Sequence, residues 1–189
     1  MLLTNRTASS RSARKPRQRS VAPAGRTAAS ADGLLVRPVR RSDLEQVIAI
    51  DATVTGLEKR AYWQRVFRRY SKAGSTEQRH FLVALLDGRV VGFVIGEVRD
   101  WEFGSPPCGW VFAINVQPDA RLGGIGADLL AALSALFRCA GVLTLRTMLS
   151  RENTLILSFF RSQGMMAGPL IPLEMDLEPT IAVSSERTR

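Results

Sequence analysis

Four residues in the middle of the chain have the types and spacing to hold an anion: Arg121, Gly123, Gly124 and Gly126, within Arg121-Leu122-Gly123-Gly124-Ile125-Gly126-Ala127. Glycines let a backbone adopt positive φ and approach a ligand closely. The first turn of a helix leaves its N–H groups unpaired and carries the positive end of the helix dipole. Both conditions are met here. Val111, Phe112, Ile114 and Val116 form an apolar, β-branched run before the loop, and Pro118-Asp119 ends it. Leu129, Leu130, Leu133, Leu136 and Phe137 follow at helical spacing. A strand, a glycine loop and a helix N-terminus in that order make a phosphate cradle. A Walker A loop would need Gly-Lys-Ser/Thr where Gly126-Ala127 stands, and the glycines do not fit GxGxxG.

The elements that must position this loop can be read around it. Leu34 to Val39 reads as a first strand. Ser42 and Glu45 have capping-box spacing and open a helix to about Val54, which Gly56 breaks. Leu57 to Lys72 reads as a second helix with Tyr62, Val66, Phe67 and Tyr70 on its apolar side. Lys59, Arg60, Arg65, Arg68 and Arg69 lie elsewhere on it and form a solvated face or meet an acidic acceptor. Phe81 to Leu86 and Val90 to Val98 are strands joined by Asp87-Gly88, a strong hairpin signal, with Gly92 and Gly96 marking bulges. After the central helix, Gly141 is a C-terminal stop. Val142 to Thr147 is a strand, Asn153 to Gln163 a helix stopped by Gly164, and Leu170 to Leu177 a last strand. The expected order is βααβββαβαβ.

Composition bounds the function. A chain of 189 residues with 46% hydrophobic content supports one domain with a substantial core. No apolar run reaches the roughly 20 residues that span a bilayer. Two cysteines and one histidine argue against structural zinc, which takes four Cys/His ligands, and suit free thiols in a reducing compartment. Of the net charge of +9, a share of +6 lies in residues 1–33. That segment is rich in Arg, Ser, Ala and Thr, lacks periodicity, and reads as a disordered basic tail. Residues 179–189 read as a polar C-terminal tail. The basic tail is weak grounds for nucleic-acid binding, and its composition also fits an organellar transit peptide. A cytoplasmic location is the main expectation.

Two motifs together resemble the GNAT acetyltransferases. Arg121, Gly124 and Gly126 fit R-x-x-G-x-G, the acetyl-CoA pyrophosphate loop of that family. Asn153, Phe159-Phe160 and Gly164-Met165 resemble the family's later motif, in which an Asn opens a helix, an aromatic follows and a glycine closes it. The resemblance covers about residues 34–178. It implies an α/β (α+β) fold, a central mixed sheet flanked by helices, with strands four and five splayed to admit acetyl-CoA. The pantetheine arm would pair with strand four near Ile114 and Val116. The pyrophosphate would rest on N–H groups from Leu122, Gly123, Gly124, Ile125, Gly126 and Ala127. Arg121 would add charge or serve structurally, and Asn153 would sit by the pantetheine or cap its helix. Phe160 stands where many members place an acid, a Tyr.

The implied activity is direct transfer of acetyl from acetyl-CoA to a primary amine on a protein or small molecule, with no metal. The Ile114 N–H is the expected oxyanion donor. Glu97, Asp100 and Glu102 are the nearest candidates for a base, Glu97 first among them, because Cys108-Gly109-Trp110 lacks the carboxylate some members carry early on strand four. Asp51, Thr55, Tyr62, Trp63 and Met165 to Pro172 are the acceptor-side candidates; Tyr62-Trp63 either walls a pocket or belongs to the core. The rival reading is a non-catalytic acyl-CoA-binding module. A homodimer is compatible with the sequence.

Overall fold

The computed structural model describes residues 33–71 and 78–177. Both tails lie almost wholly outside these, as does Lys72, the expected end of the second helix. Nine elements follow in order: β1 (Leu35–Pro38), α1 (Leu44–Thr55), α2 (Arg60–Tyr70), β2 (Arg79–Leu86), β3 (Arg89–Arg99), β4 (Cys108–Val116), α3 (Ile125–Cys139), β5 (Leu145–Thr147) and α4 (Thr154–Ser162). The strands form one sheet in the order β1-β2-β3-β4-β5. The first four pair antiparallel, and β5 runs parallel to β4. This is the mixed sheet the resemblance implied.

The hairpin between β2 and β3 turns at Asp87 (φ 50°) and Gly88 (φ 78°). Two successive positive φ values suit the right-handed twist of the flanking strands. The sheet buries both faces. On one, Phe81, Val83, Leu85, Phe93 and Ile95 pack under α1 and α2 with Trp63. On the other, Leu82, Ala84, Val94 and Val111 pack under α3, whose Ile125, Leu129, Leu130, Leu133 and Phe137 form one buried stripe. Each such side chain contributes about 1.5–3 kcal/mol on burial. β3 is therefore apolar on both sides, and Glu97 is the acid within it.

Bulges fall beside the glycines that predicted them. The extra residues are Val91 in β3 and Phe112 in β4, the latter opposite the Ile95–Gly96 step. A Cβ on Gly96 would stand 2.6 Å from the Trp110 carbonyl oxygen and 2.9 Å from a Leu133 methyl, so only glycine admits this approach of β3, β4 and α3.

Four expectations need correction. No strand forms over Leu170–Leu177 among the described residues, so the observed order ends after α4. Ile171 and Leu173 are 79% and 93% exposed. Alternating apolar residues define a face but not a partner, and Pro172 cannot donate to a ladder. The strand expected from Val142 shrinks to Leu145–Thr147 for the same reason, with Leu143 95% exposed. On α2 the buried aromatic is Trp63, while its neighbour Tyr62 is 44% exposed. Ser42 does not cap α1. Arg41–Asp43 forms a 3-10 turn, and Asp43 makes the local bonds instead. Glu45, freed from capping, pairs with Arg60 across the α1–α2 turn.

Asp43 is buried and ties β1 to the start of α1. Its oxygens accept from Arg37 Nη1 at 2.6 Å and Nη2 at 2.9 Å, and from the Arg40 N–H at 2.7 Å. Burial pushes the carboxyl up, but the Arg37 guanidinium and the Arg40 N–H outweigh it and hold the group below the ordinary carboxylate range. A depressed folded-state pKa stabilises the fold above the unfolded value of about 3.9, and that share is lost as pH falls through the folded value. Asp43→Asn should therefore cost about 2–3 kcal/mol near neutrality. The gap between variant and parent in thermal unfolding should narrow below about pH 4; a gap constant down to pH 2 would assign the stabilisation to another group.

Candidate functional site

β4 and β5 pair over three positions only, Gly109–Leu145, Trp110–Arg146 and Val111–Thr147. Thr147 Oγ1 adds a bond to the Val111 carbonyl at 2.9 Å. Beyond it the Phe112 bulge bends β4, and the strand runs on to Val116 with no strand on that side. Which groups face the gap follows from alternation. The Gln117 N–H donates to Val91 O in β3, so the N–H groups of Asn115 and Ala113 also point to β3. Those of Val116 and Ile114 point into the gap. The Val116 carbonyl is held by Arg121 Nε at 3.2 Å, which fastens the loop to the strand end.

The gap is headed by the glycine loop. Pro118–Gly123 forms a 3-10 turn, which includes Leu122 and Gly123, and Gly124 takes φ 75° as the residue capping α3. The Ala127 and Asp128 N–H groups both donate to the Gly124 carbonyl. Ala127 is thus spent inside the turn rather than offered to a ligand. Ile125 and Gly126 are the first helical residues, where N–H groups have no acceptor within the helix. A Cβ on Gly124 would meet nothing within 4 Å, so the space before the turn is open. Open space, positive helix end and free backbone donors fit a pyrophosphate, and the gap-facing edge of β4 fits an amide-bearing arm.

α4 closes the far side. Asn153 caps it, with Oδ1 accepting from the Ile156 N–H at 3.2 Å. Phe160, expected beside the cofactor, is instead 4% exposed in the core under α3. Its neighbour Phe159 reaches the loop, and a Cβ on Gly126 would lie 3.1 Å from the Phe159 ring. The sequence placed the pair but not which ring turned inward.

A second cluster lies on the α1/α2 face, one strand from the gap. Glu97 stands opposite Trp110. Its Oε2 accepts from the Tyr70 hydroxyl at 2.8 Å and Arg79 Nε at 3.2 Å, with Arg69 at 3.5 Å; its Oε1 accepts from Arg99 Nε at 3.3 Å. Burial first, then the bond to Glu97, pushes the Tyr70 phenol up to about 12. Arg99 lies 4.9 Å from the Phe112 ring centroid and 5.6 Å from that of Trp110. Glu97, Arg69, Arg79 and Arg99 line a cleft of about 560 Å³, whose wall also includes residues 140–142 at the end of α3. From Glu97 to Val94, the partner of Ile114, is three residues along β3, or about 10 Å. Tyr70, Arg79 and Arg99 were missed in the sequence; the signal was a lone acid in an apolar strand.

The other candidates take structural places. Asp51 is buried, accepting from Trp63 Nε1 at 2.8 Å and pairing with Lys59 at 2.9 Å. Met165 packs against the core under α3, and residues 166–172 run exposed. His80 packs at 5.6 Å on Phe137, and burial pushes its pKa down. Among the described residues no cluster of His, Cys, Asp and Glu could hold a metal, and no helix is long and apolar enough to cross a membrane.

Comparison with known proteins shows the family and the fold. An L-2,4-diaminobutyric acid acetyltransferase of Nocardia farcinica is 34% identical over 87 residues, which cover 46% of this chain and 44% of that protein. The chain thus matches under half the length of this curated relative. Among solved structures, the aminoglycoside N-acetyltransferase AAC(6')-Iy in complex with CoA superposes with a TM-score of 0.66 at 19% identity, covering 76% of this chain and 94% of that one. The 6'-N-acetyltransferase AAC(6')-Ih from Acinetobacter baumannii gives 0.65 at 15%, covering 77% and 100%. At those identities the likeness shows the fold. Residues 45–165, most of the described chain, match the Acetyltransferase (GNAT) family, and the protein belongs to that family.

Proposed function

We propose that the protein transfers an acetyl group from acetyl-CoA to a primary amine of a small molecule. The observation that carries this is the gap beside β4, with the Ile114 and Val116 N–H groups aimed into it and the Gly124 turn at its head. The names of the similar proteins, an acetyltransferase of diaminobutyric acid and acetyltransferases of aminoglycosides, support small amines as the acceptor class. Acetyl-CoA, when bound, supplies the activated acetyl group as a thioester.

The chain's own residues then have distinct parts. Ile125 and Gly126, with the positive end of α3, hold the pyrophosphate. Val116 and Ile114 pair with the arm, and the Ile114 N–H is the donor assigned to the acetyl carbonyl oxygen. Both oxygens of Glu97 are already engaged, so a proton arriving there would displace an arginine or the Tyr70 hydroxyl. We assign Glu97 first to holding these groups, and let the amine lose its proton to water. An amine of pKa near 10.4 is neutral in about one molecule per thousand at pH 7.

Two outcomes are expected. Gly124→Glu places a carboxylate before the turn and costs about 1–2 kcal/mol for its left-handed backbone; calorimetry should show acetyl-CoA binding weakened by roughly tenfold or more. Binding kept by the folded variant would move the cofactor elsewhere. With a small amine in the full chain, CoA thiol release should rise about tenfold per pH unit toward the amine's own pKa. A plateau near neutrality that Glu97→Gln removes would make Glu97 the base. Acetyl-CoA binding without thiol release from any amine would favour the non-catalytic module.

A further inference from the structure

The cleft around Glu97 is charged in an unusual way. Its lining includes Arg69, Arg79 and Arg99 and also Glu97, Asp100 and Glu102, three charges of each sign. A cleft built to take a polycation would be acidic, and one built for a plain anion would be basic. This one is neither. The two signs are also layered. Glu97 is 6% exposed at the floor. Arg99 bonds it through Nε and Glu102 through Nη1 at 2.9 Å, so its guanidinium is fixed in place with N–H donors left over. The ring of Phe112 backs that guanidinium, and Phe112 is the bulged residue of β4 where the gap opens.

Further observations place a polar ligand here. The amide oxygen of Gln78, in the cleft lining, is buried with no hydrogen-bond partner among the described residues, which costs free energy unless something donates to it. Trp101, between Asp100 and Glu102, holds φ 56° with its side chain 70% exposed. A bulky residue in that conformation is strained, and such strain collects at ligand sites.

Resting on the acetyltransferase reading above, we propose that this cleft binds the zwitterionic head of a small diamino acid. Its carboxylate takes the spare N–H donors of Arg99 and Arg69, and its α-ammonium is drawn to the Asp100 and Glu102 rim and Gln78. The distal amine reaches toward Ile114 along β4. Phe112 precedes Ile114 by two residues, about 7 Å of strand, and Glu97 lies about 10 Å back. A side chain of a few methylenes spans that interval. An acceptor without the carboxylate leaves the spare N–H donors of Arg99 unused, and a polycation meets three arginines.

The test compares acceptors that share the distal amine. L-lysine and L-ornithine are set against cadaverine, putrescine and lysinamide, by CoA thiol release with the full chain and by calorimetric binding. The amino acids should be preferred in kcat/KM by roughly 10- to 100-fold, the worth of a charged pair of hydrogen bonds. Arg99→Gln should pull that ratio toward one and Arg99→Lys restore part of it. Arg69→Gln, a change on a side chain 56% exposed that pairs with Glu97 at 3.5 Å, should lower the ratio as well. Thermal melts confirm that each variant is folded. Cadaverine binding or reacting as well as lysine overturns the inference while leaving the acetyltransferase reading intact. Lysine binding more tightly than lysinamide with no acetyl transfer to any amine supports the cleft and overturns the reading.

Discussion

A strand inside a sheet has donors and acceptors on two sides, and leaving either side unpaired costs free energy. β4 is satisfied on both sides only from Gly109 to Val111. From there the Phe112 bulge turns it away from β5, and Ile114 and Val116 keep a ladder of backbone groups with no strand to meet it. The other side of β4 pairs with β3 from Cys108 to Val116 except at the Phe112 bulge, and α3 and α4 pack in one core cluster. The unpaired ladder is what an amide-bearing arm can complete.

The glycine loop matters because of where the gap ends. Arg121 fastens the loop to the Val116 carbonyl, so the head of α3 is set at the mouth of the same gap. Gly124 reverses the chain in a conformation only glycine adopts cheaply. Backbone donors along the strand and at the helix start thus form one continuous track. Chains only 15–19% identical to this one share its fold.

A fixed charge network lies on the other face. Glu97 organises a floor from which Arg79, Arg99 and Tyr70 project, and Arg99 joins that floor to the aromatic rings of β4. A buried carboxylate needs such partners to offset its desolvation, so stability and positioning are served by the same contacts. The sheet thus divides into backbone groups at the gap and fixed charges on the α1/α2 face.

Local chemistry made much of this legible from residues alone. Asp87-Gly88 turned where such a pair must. Gly56, Gly124 and Gly164 ended or began helices with positive φ, Asn153 capped α4, and the spacing of Leu129, Leu133 and Phe137 defined the buried stripe of α3. Each is a short-range effect, settled within one or two turns of chain. The remainder was decided by distant neighbours. Trp63 rather than Tyr62 is buried because Asp51 meets its indole N–H and Phe93 its ring. Phe160 turns into the core while Phe159 reaches Gly126. Tyr70 and Arg79 converge on Glu97 from α2 and β2, elements that sequence spacing cannot relate to β3. Leu170–Leu177 has the alternation of a strand but no partner in the described sheet, since a strand exists only through a neighbour and the sequence of one segment names none.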